Sequence, residues 1–204
     1  MCSVTALTVE TGELPEPHLT LTTRILSSAR RMNQMVGDLL DFTRGRLGSG
    51  IPITRGVADL GAVMRQAIGE MTVAHPHSVL QLTTVGDLCG LWDGARLSQL
   101  AANLLGNAVQ HGAPGTLINV TAQGEGADVV LRVHNYGPMI PKADVPALFS
   151  PFKRFRSGAA VGRDSGNLGL GLYIADRIVS AHGGTMQVQS SAESGTLFTV
   201  RLPR

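Results

Sequence analysis

The sequence predicts an α+β fold, a two-layer α/β sandwich in which a sheet is covered by helices on one face, preceded by one separate amphipathic helix. Three observations predict it. Apolar residues between positions 21 and 42 recur at helical spacing, a glycine-rich linker follows, and the rest of the chain alternates between helical and strand periods. Adjacent strand candidates in mixed order are typical of a sheet packed against helices on one side.

The composition excludes several functions. The 204 residues, 43% of them hydrophobic, suffice for one full domain and an accessory element. A net charge of +2 is too small to indicate nucleic acid or a membrane surface as a partner. No apolar run approaches the length of a membrane span, and no signal peptide is recognisable. Cys2 and Cys89 lack disulfide or metal-ligand spacing, which predicts reduced thiols in a cytoplasmic protein.

The first predicted element is a helix within residues 21–50, after a weakly patterned segment, residues 1–20, in which Pro15 and Pro17 predict a loop. Its seam positions alternate spacings of three and four, as in a coiled coil or helical bundle: Ile25, Ser28, Met32, Met35, Leu39 and Phe42. The pattern is short, so it indicates either pairing with a partner helix or one amphipathic helix packed on its own domain. Glycines between Gly45 and Pro52 then supply a linker.

The remaining elements are predicted over residues 51–204. Asp59 caps a helix through about Met71, Asp93 begins a second helix, and a third ends at Gly183 and Gly184. Strands are predicted around Val79 and Leu82, and at Leu88–Trp92, Thr116–Ala122, Val129–Val133, Met186–Ser190 and Gly195–Leu202. In the last strand, alternate residues from Thr196 to Leu202 share one face.

Two asparagines mark the second of these helices. Asn103 and Asn107 are four residues apart, so they lie on one helical face opposite the leucines, and His111 continues that line. A carboxamide oxygen is a suitable ligand for a Mg²⁺ ion that also contacts substrate phosphates. Taken alone, the pattern is equally consistent with exposed helix asparagines.

Asn135 lies where a predicted strand ends, directly before the turn at Gly137 and Pro138. A side-chain oxygen at that position can accept a hydrogen bond from an adenine amino group. An ordinary loop is the alternative interpretation.

Two further segments are candidates for binding phosphate. The aromatic stretch Phe149–Phe155 precedes a polar, glycine-containing segment, which is typical of a mobile lid or of a core patch followed by a surface loop. At residues 166–174 glycines stand at the start of a helix, where backbone N–H groups can approach phosphate oxygens. This pattern is neither a Rossmann fingerprint nor a P-loop. The hydroxyl of Thr196 can reach a phosphate or cap a turn.

Together these segments resemble the GHKL ATPases and, within them, the sensor histidine kinases. Residues 103–108 resemble the N box, and Asn135–Ile140 the first glycine box. Phe149–Phe152 resemble the F box, and Asn167–Leu172 the second glycine box. Gly195–Phe198 resemble the closing strand. The four boxes occur in the family's order, and the resemblance covers about residues 55–204. Together they identify the family far more specifically than any single box does.

The resemblance implies the Bergerat ATP-binding fold, with ATP and Mg²⁺ as ligands. Asn103 would face the phosphates, and Asn107 would bind Mg²⁺; both are the candidate catalytic residues. The implied nucleotide contacts are Asn103, Asn107, His111, Asn135, Gly137, Met139, Ile140, Phe152, Leu168, Gly169, Leu170, Gly171, Leu172 and Thr196.

The chain departs from the family pattern at several positions. Asn135 replaces an aspartate, and Met139 and Asn167 replace glycines. No histidine followed by an acidic residue, as in the family's phosphoacceptor motif, is present, and His18 falls on the loop that would join the two hairpin helices. We therefore expect that residues 1–20 are the remnant of a first hairpin helix and its loop, and that the chain is truncated before the phosphoacceptor.

The resemblance also implies partners. Residues 25–42 would form a homodimeric four-helix bundle, and the γ-phosphoryl group would pass to a histidine-bearing kinase chain and on to a response regulator. One alternative is a catalytically silent module that dimerises with intact kinases. Another is a different GHKL ATPase, which the F box and the Leu39–Arg44 segment disfavour.

Overall fold

The computed structural model describes residues 16–46, 50–153 and 168–204, and it has the predicted α+β fold. The chain divides into two compact units, residues 1–40 and residues 41–204. The predicted remnant helix before residue 16 lies outside the described residues.

The first unit contains most of helix α1, Glu16–Arg46. The helix begins five residues before the predicted residue 21, so Pro17 and His18 lie in its first turn rather than in a loop. Proline fits there because the first N–H groups of a helix have no intrahelical acceptor. Several large apolar side chains of this unit are exposed: Ile25, Met32, Val36, Leu39 and Leu40. Across the described ranges, no helix is both long and apolar enough to cross a membrane.

The second unit alternates strands and helices along the chain. In order, its elements are β1 (Gly56–Asp59), α2 (Leu60–Ala74), β2 (Val79–Val85), β3 (Cys89–Trp92), α3 (Gly94–His111), β4 (Leu117–Glu125), β5 (Asp128–Asn135), a 3-10 helix (Val145–Phe149), α4 (Gly171–Ala181), β6 (Thr185–Ser191) and β7 (Gly195–Pro203). Strand β1, of four residues, and the 3-10 helix, of five, were not predicted.

The main sheet has five strands in the order β2-β4-β5-β7-β6, and β1 pairs separately with β3. Strand β2 runs parallel to β4, whereas the other neighbours are antiparallel. Alternate residues of the central strands are buried against the helices, among them Leu131 on β5 and Phe198 on β7. The predicted face of β7, from Thr196 to Leu202, is buried throughout, which confirms the strand pattern.

The two predicted aspartate caps are present. Asp59 accepts a hydrogen bond from the backbone N–H of Gly61 at the start of α2, and Asp93 accepts one from Arg96 at the start of α3. The backbone N–H of Asp93 in turn donates to Nε2 of His182, which is fully buried after α4. The other ring nitrogen of His182 lies 2.8 Å from the carbonyl of Ile178 and donates to it. This histidine therefore fixes the end of α4 against the start of α3.

Candidate functional site

Helix α3 supplies one wall of the candidate site. Its leucines are buried in the core, and Asn103, Asn107 and His111 follow one another at intervals of one turn on a less buried side. From residue 103 to residue 111 this line runs about 12 Å along the helix axis. The two ends of the line meet different segments of the chain.

Asn103 faces the start of helix α4. A Cβ atom placed on Gly171 would lie 3.2 Å from Oδ1 of Asn103, so glycine permits this close approach. Within the part of the chain that the structure describes, Nδ2 of Asn103 is buried and has no hydrogen-bond partner. Buried donors are normally paired, so this N–H group is available to an acceptor brought by a ligand.

His111, at the other end of the line, contacts the turn that follows β5. A Cβ on Gly137 would collide with the backbone carbonyl of His111, so this position requires glycine. Burial lowers the pKa of the His111 imidazole and favours its neutral form. The backbone N–H of Ala113, just beyond α3, donates to the carbonyl of Tyr136 at 2.6 Å and closes the same junction.

Asn135 and Thr196 are direct neighbours at the end of β5 and the start of β7. Both are buried, and their side chains are polar. Gly195 has φ near +71°, and a Cβ there would collide with the carbonyl of Asn135. Glycine at 195 therefore lets the two strands close tightly around this polar pair.

Ser190 on β6 completes the polar cluster. Its Oγ lies 2.9 Å from Oγ1 of Thr196, and it accepts a hydrogen bond from the backbone N–H of Ile140 at 3.0 Å. The sequence left two roles open for Thr196, a phosphate contact and a turn cap, but the observed partner is a neighbouring hydroxyl. Met139, next to Ile140, is exposed.

The aromatic segment meets the glycine-rich segment through Phe152. Its backbone N–H donates to the carbonyl of Gly169 at 3.1 Å, and both residues have positive φ. The Phe152 ring packs edge-on against Phe42, with ring centroids 4.9 Å apart. Next to Gly169, Leu170 is buried whereas Leu168 is exposed.

The other predicted residues of these segments divide into two groups. Leu172, on helix α4, is half-buried and packs against the hydrophobic core. Asn167, Gly166 and most of the predicted lid, from residue 154 on, lie outside the described residues.

The protein groups alone do not form a metal centre in the described residues, because no cluster of three or more His, Cys, Asp or Glu side chains occurs there. A Mg²⁺ ion held by one or two protein oxygens and by substrate phosphates needs no such cluster. Asn107, half-buried one turn beyond Asn103, carries a suitable carboxamide oxygen.

Sequence reasoning missed two residues of this region, Ser190 and Phe42. Ser190 is adjacent to Thr196 only through the register of β6 with β7, which a serine in a strand does not reveal. Phe42 was assigned to the seam of the first helix, yet its ring contacts both Phe152 and Tyr173. No local signal distinguishes these two contacts from solvent exposure or packing against a partner helix.

Comparison with known proteins gives this geometry a context. The family model described as "Histidine kinase-, DNA gyrase B-, and HSP90-like ATPase" matches residues 92–204. A probable sensor histidine kinase from Mycobacterium tuberculosis, TcrY, is 36% identical over 200 residues, which are 98% of this chain and 41% of that protein. A bacteriophytochrome from Pseudomonas aeruginosa is 36% identical over 88% of this chain and 24% of its own length. The chain thus spans less than half of the length of these relatives.

Solved structures share the fold. Full-length ShkA, determined in complex with AMPPNP, has a TM-score of 0.69 and 24% sequence identity, over 94% of this chain and 40% of that chain. The mycobacterial sensor histidine kinase MprB has a TM-score of 0.63 and 23% identity, over 74% of this chain and 97% of that chain.

Proposed function

The chain belongs to the histidine kinase-, DNA gyrase B- and HSP90-like ATPase family, and on that premise we propose that it binds ATP with Mg²⁺ and transfers the γ-phosphoryl group to a histidine. The reaction would serve two-component signal transduction; in support, relatives are named a sensor histidine kinase and a signal transduction histidine-protein kinase. The nucleotide would lie along α3, between the start of α4 and the polar cluster of Asn135, Thr196 and Ser190.

The observation that carries this proposal is Nδ2 of Asn103, which is buried and has no hydrogen-bond partner among the described residues. A buried N–H donor without an acceptor costs about 1–3 kcal/mol, so a protein retains it where a ligand supplies the acceptor. The side chain that carries this donor lies against Gly171, the first residue of α4, where the first N–H groups of the helix also lack intrahelical acceptors. Two sets of donors at one point suit the oxygens of a phosphate group.

The residues of this chain act mainly by positioning and by charge stabilisation. Asn103 and the start of α4 would hold the phosphate oxygens, and Asn107 would contribute a carboxamide oxygen to Mg²⁺. When bound there, Mg²⁺ would neutralise charge that develops on the transferred phosphoryl group. Neutral His111 would border the nucleotide without adding positive charge.

At the other end of α3, Asn135 would accept a hydrogen bond from the base. Its Nδ2 donates to the carbonyl of Tyr136, which leaves Oδ1 as the acceptor for an adenine amino group. The remaining predicted contacts, Gly137, Met139, Ile140, Phe152 and the residues from Leu168 to Leu172, would enclose the nucleotide between these two ends.

The acceptor histidine would come from a histidine-bearing kinase chain. The exposed apolar side chains of α1, among them Ile25, Met32 and Leu39, favour a homodimer through residues 25–42, because a helical seam of this kind is normally covered by a partner helix. A response regulator would then receive the phosphoryl group.

The proposal is tested by titrating the purified chain with ATP, with and without Mg²⁺, by isothermal calorimetry. We expect saturable binding that Mg²⁺ strengthens, and a loss of that strengthening in Asn107→Ala. Asn119→Ala makes the same change at an exposed position of β4 and should bind as the parent does. A folded chain that does not bind ATP would rule out the catalytic proposal.

A second function is favoured by the exposed face of α1: a silent module that dimerises with intact kinases. The mass of the purified chain measured by light scattering should then be that of a dimer. Replacing Met32 and Leu39 together by serine should give the mass of a monomer, without loss of helix content. A silent module is compatible with nucleotide binding as well as with its absence, so the two functions separate on phosphoryl transfer. A dimer that binds no nucleotide supports the silent module. A dimer that binds Mg·ATP supports the kinase only if it also transfers the γ-phosphoryl group to a histidine-bearing kinase chain.

A further inference from the structure

We propose that Asn135 makes the base end of this site tolerant of 6-oxopurine as well as 6-aminopurine nucleoside triphosphates. The inference rests on the proposed function, since it concerns which nucleotides the same site accepts. It starts from the position of Asn135, which is 3% exposed, ends β5 and pairs with Thr196 across the sheet.

The polar groups at this end of the site are neutral. Asn135 carries a carboxamide, and Thr196 and Ser190 carry hydroxyls joined by a 2.9 Å hydrogen bond in which either oxygen can donate. Each of the three side chains can therefore act as a donor or as an acceptor. A carboxylate at position 135 would only accept.

The two purine classes present opposite groups to such a site. A 6-aminopurine offers a donor at position 6 and an acceptor at N1, whereas a 6-oxopurine offers an acceptor at position 6 and a donor at N1. A carboxamide matches either class, because a half-turn about its terminal bond exchanges Oδ1 and Nδ2. In the observed orientation Nδ2 donates to the carbonyl of Tyr136, which leaves Oδ1 as the acceptor for a 6-amino group.

The hydrogen bond that maintains this orientation is long, 3.3 Å, and joins two neutral groups. Turning the carboxamide gives up this bond and sets Oδ1 against the carbonyl of Tyr136, at a cost of about 1–3 kcal/mol, so affinity falls by about 5- to 150-fold. A site that reads the base with a fixed acceptor rejects the opposite class far more strongly, by about 10⁴-fold in favourable cases. Asn135 therefore gives a limited preference for adenine rather than an exclusive one.

The first test compares ATP, ITP and CTP in the parent chain by calorimetry with Mg²⁺. ITP differs from ATP only in the 6-oxo group and the N1 proton. We expect the Kd for ITP to lie within about 150-fold of that for ATP, with CTP much weaker. An ITP affinity more than about 150-fold below that of ATP overturns the inference but leaves the proposed function intact. Equal binding of CTP overturns it too, because a site that binds a smaller pyrimidine equally well does not select purines. Failure of ATP itself to bind overturns both.

The second test uses Asn135→Asp, measured at pH 8 so that the carboxylate is ionised. We expect the ratio of ITP to ATP dissociation constants to rise at least about tenfold, because the carboxylate meets the 6-oxo group acceptor to acceptor. Asn119→Asp, the same exchange at an exposed position, should leave the ratio unchanged. An unchanged ratio in a folded Asn135→Asp variant overturns the inference. If this variant does not fold, the parent ratio decides alone.

Discussion

Nη1 of Arg96 donates a 2.6 Å hydrogen bond to Oδ2 of Asp41, which joins the last turns of α1 to the start of α3 within the second unit. Nε2 of Gln99 donates to the same oxygen at 3.0 Å. The Asp41 side chain is only 5% exposed and that of Arg96 19%. Removing a largely buried carboxylate that accepts two hydrogen bonds costs much free energy, because the partner arginine keeps its charge and loses its counter-ion.

Asp41→Ala should therefore lower the free energy of unfolding by about 2–3 kcal/mol, less than for a fully buried pair because Arg96 retains some contact with water. Urea unfolding followed by the fluorescence of Trp92, the only tryptophan and fully buried, measures the change. Arg65→Ala breaks an exposed ion pair on α2 and should change stability by no more than about 0.5 kcal/mol. Equal effects of the two variants would contradict the importance of the Asp41 pair.

Gly137 and Gly106 should respond to alanine with opposite signs. At Gly137 a Cβ collides with the backbone carbonyl of His111, so Gly137→Ala should lower the free energy of unfolding by about 1–3 kcal/mol. At Gly106, inside α3, a Cβ meets no atom of the described residues within 4 Å apart from its own stretch of helix, so Gly106→Ala should raise it by about 0.5–1 kcal/mol. The same urea assay compares them. Similar values for both variants would show that the junction of α3 with the turn after β5 can relax.

Asn103→Leu should separate stability from binding. The substitution removes a buried donor that lacks a partner among the described residues, so stability should stay equal or rise by up to about 1 kcal/mol. If Asn103 holds phosphate, ATP affinity should fall at least about tenfold in calorimetry. Asn119→Leu, at an exposed strand position, should leave ATP affinity unaffected. A large loss of stability with unchanged affinity would make Asn103 a structural residue.

The cap of α3 should give a pH-dependent contribution to stability. Burial tends to raise the pKa of Asp93, but hydrogen bonds from the backbone N–H groups of Thr54 and Arg96 outweigh burial and lower the pKa below its ordinary value of 3.8. A lowered pKa in the folded state means that the ionised cap stabilises the protein above about pH 4, and that this contribution is lost as the pH falls through the lowered pKa.

At pH 7, Asp93→Ala should cost about 1–2 kcal/mol, the usual value for a lost cap. Asp93→Asn keeps a capping oxygen that does not titrate, so it should cost less. The difference in unfolding free energy between the parent chain and Asp93→Asn should narrow from pH 6 to pH 3, as measured by urea unfolding. A difference independent of pH would show that the charge of Asp93 contributes nothing.

The contact between Phe42 and Phe152 should be measurable as a coupling energy. Their rings meet edge to face with centroids 4.9 Å apart, a geometry worth about 0.5–1.5 kcal/mol beyond burial. A double-mutant cycle of Phe42→Leu and Phe152→Leu isolates this energy from the other contacts of each ring. A coupling near zero would mean that the exposed Phe152 ring spends little time against Phe42.

The sequence by itself determined those elements that depend only on residues close together along the chain. Aspartate caps, apolar periodicity and glycine stops are local features, and they predicted α2, α3, α4 and most of the strands. The family's sequence boxes are also local features, because each lies within a few residues at the end of one helix or strand. Their family order then predicted the fold, and the match to residues 92–204 confirms the family.

Only the tertiary structure decided which distant residues meet. The cluster of Thr196 with Ser190 depends on the register of β6 with β7, and the pairing of Asp41 with Arg96 joins residues 55 positions apart. Neither residue of such a pair carries a local signal, since a serine in a strand or an aspartate in a helix is usually solvated. The polarity of the base end, on which the nucleotide preference depends, arises from strand order and register rather than from any one motif.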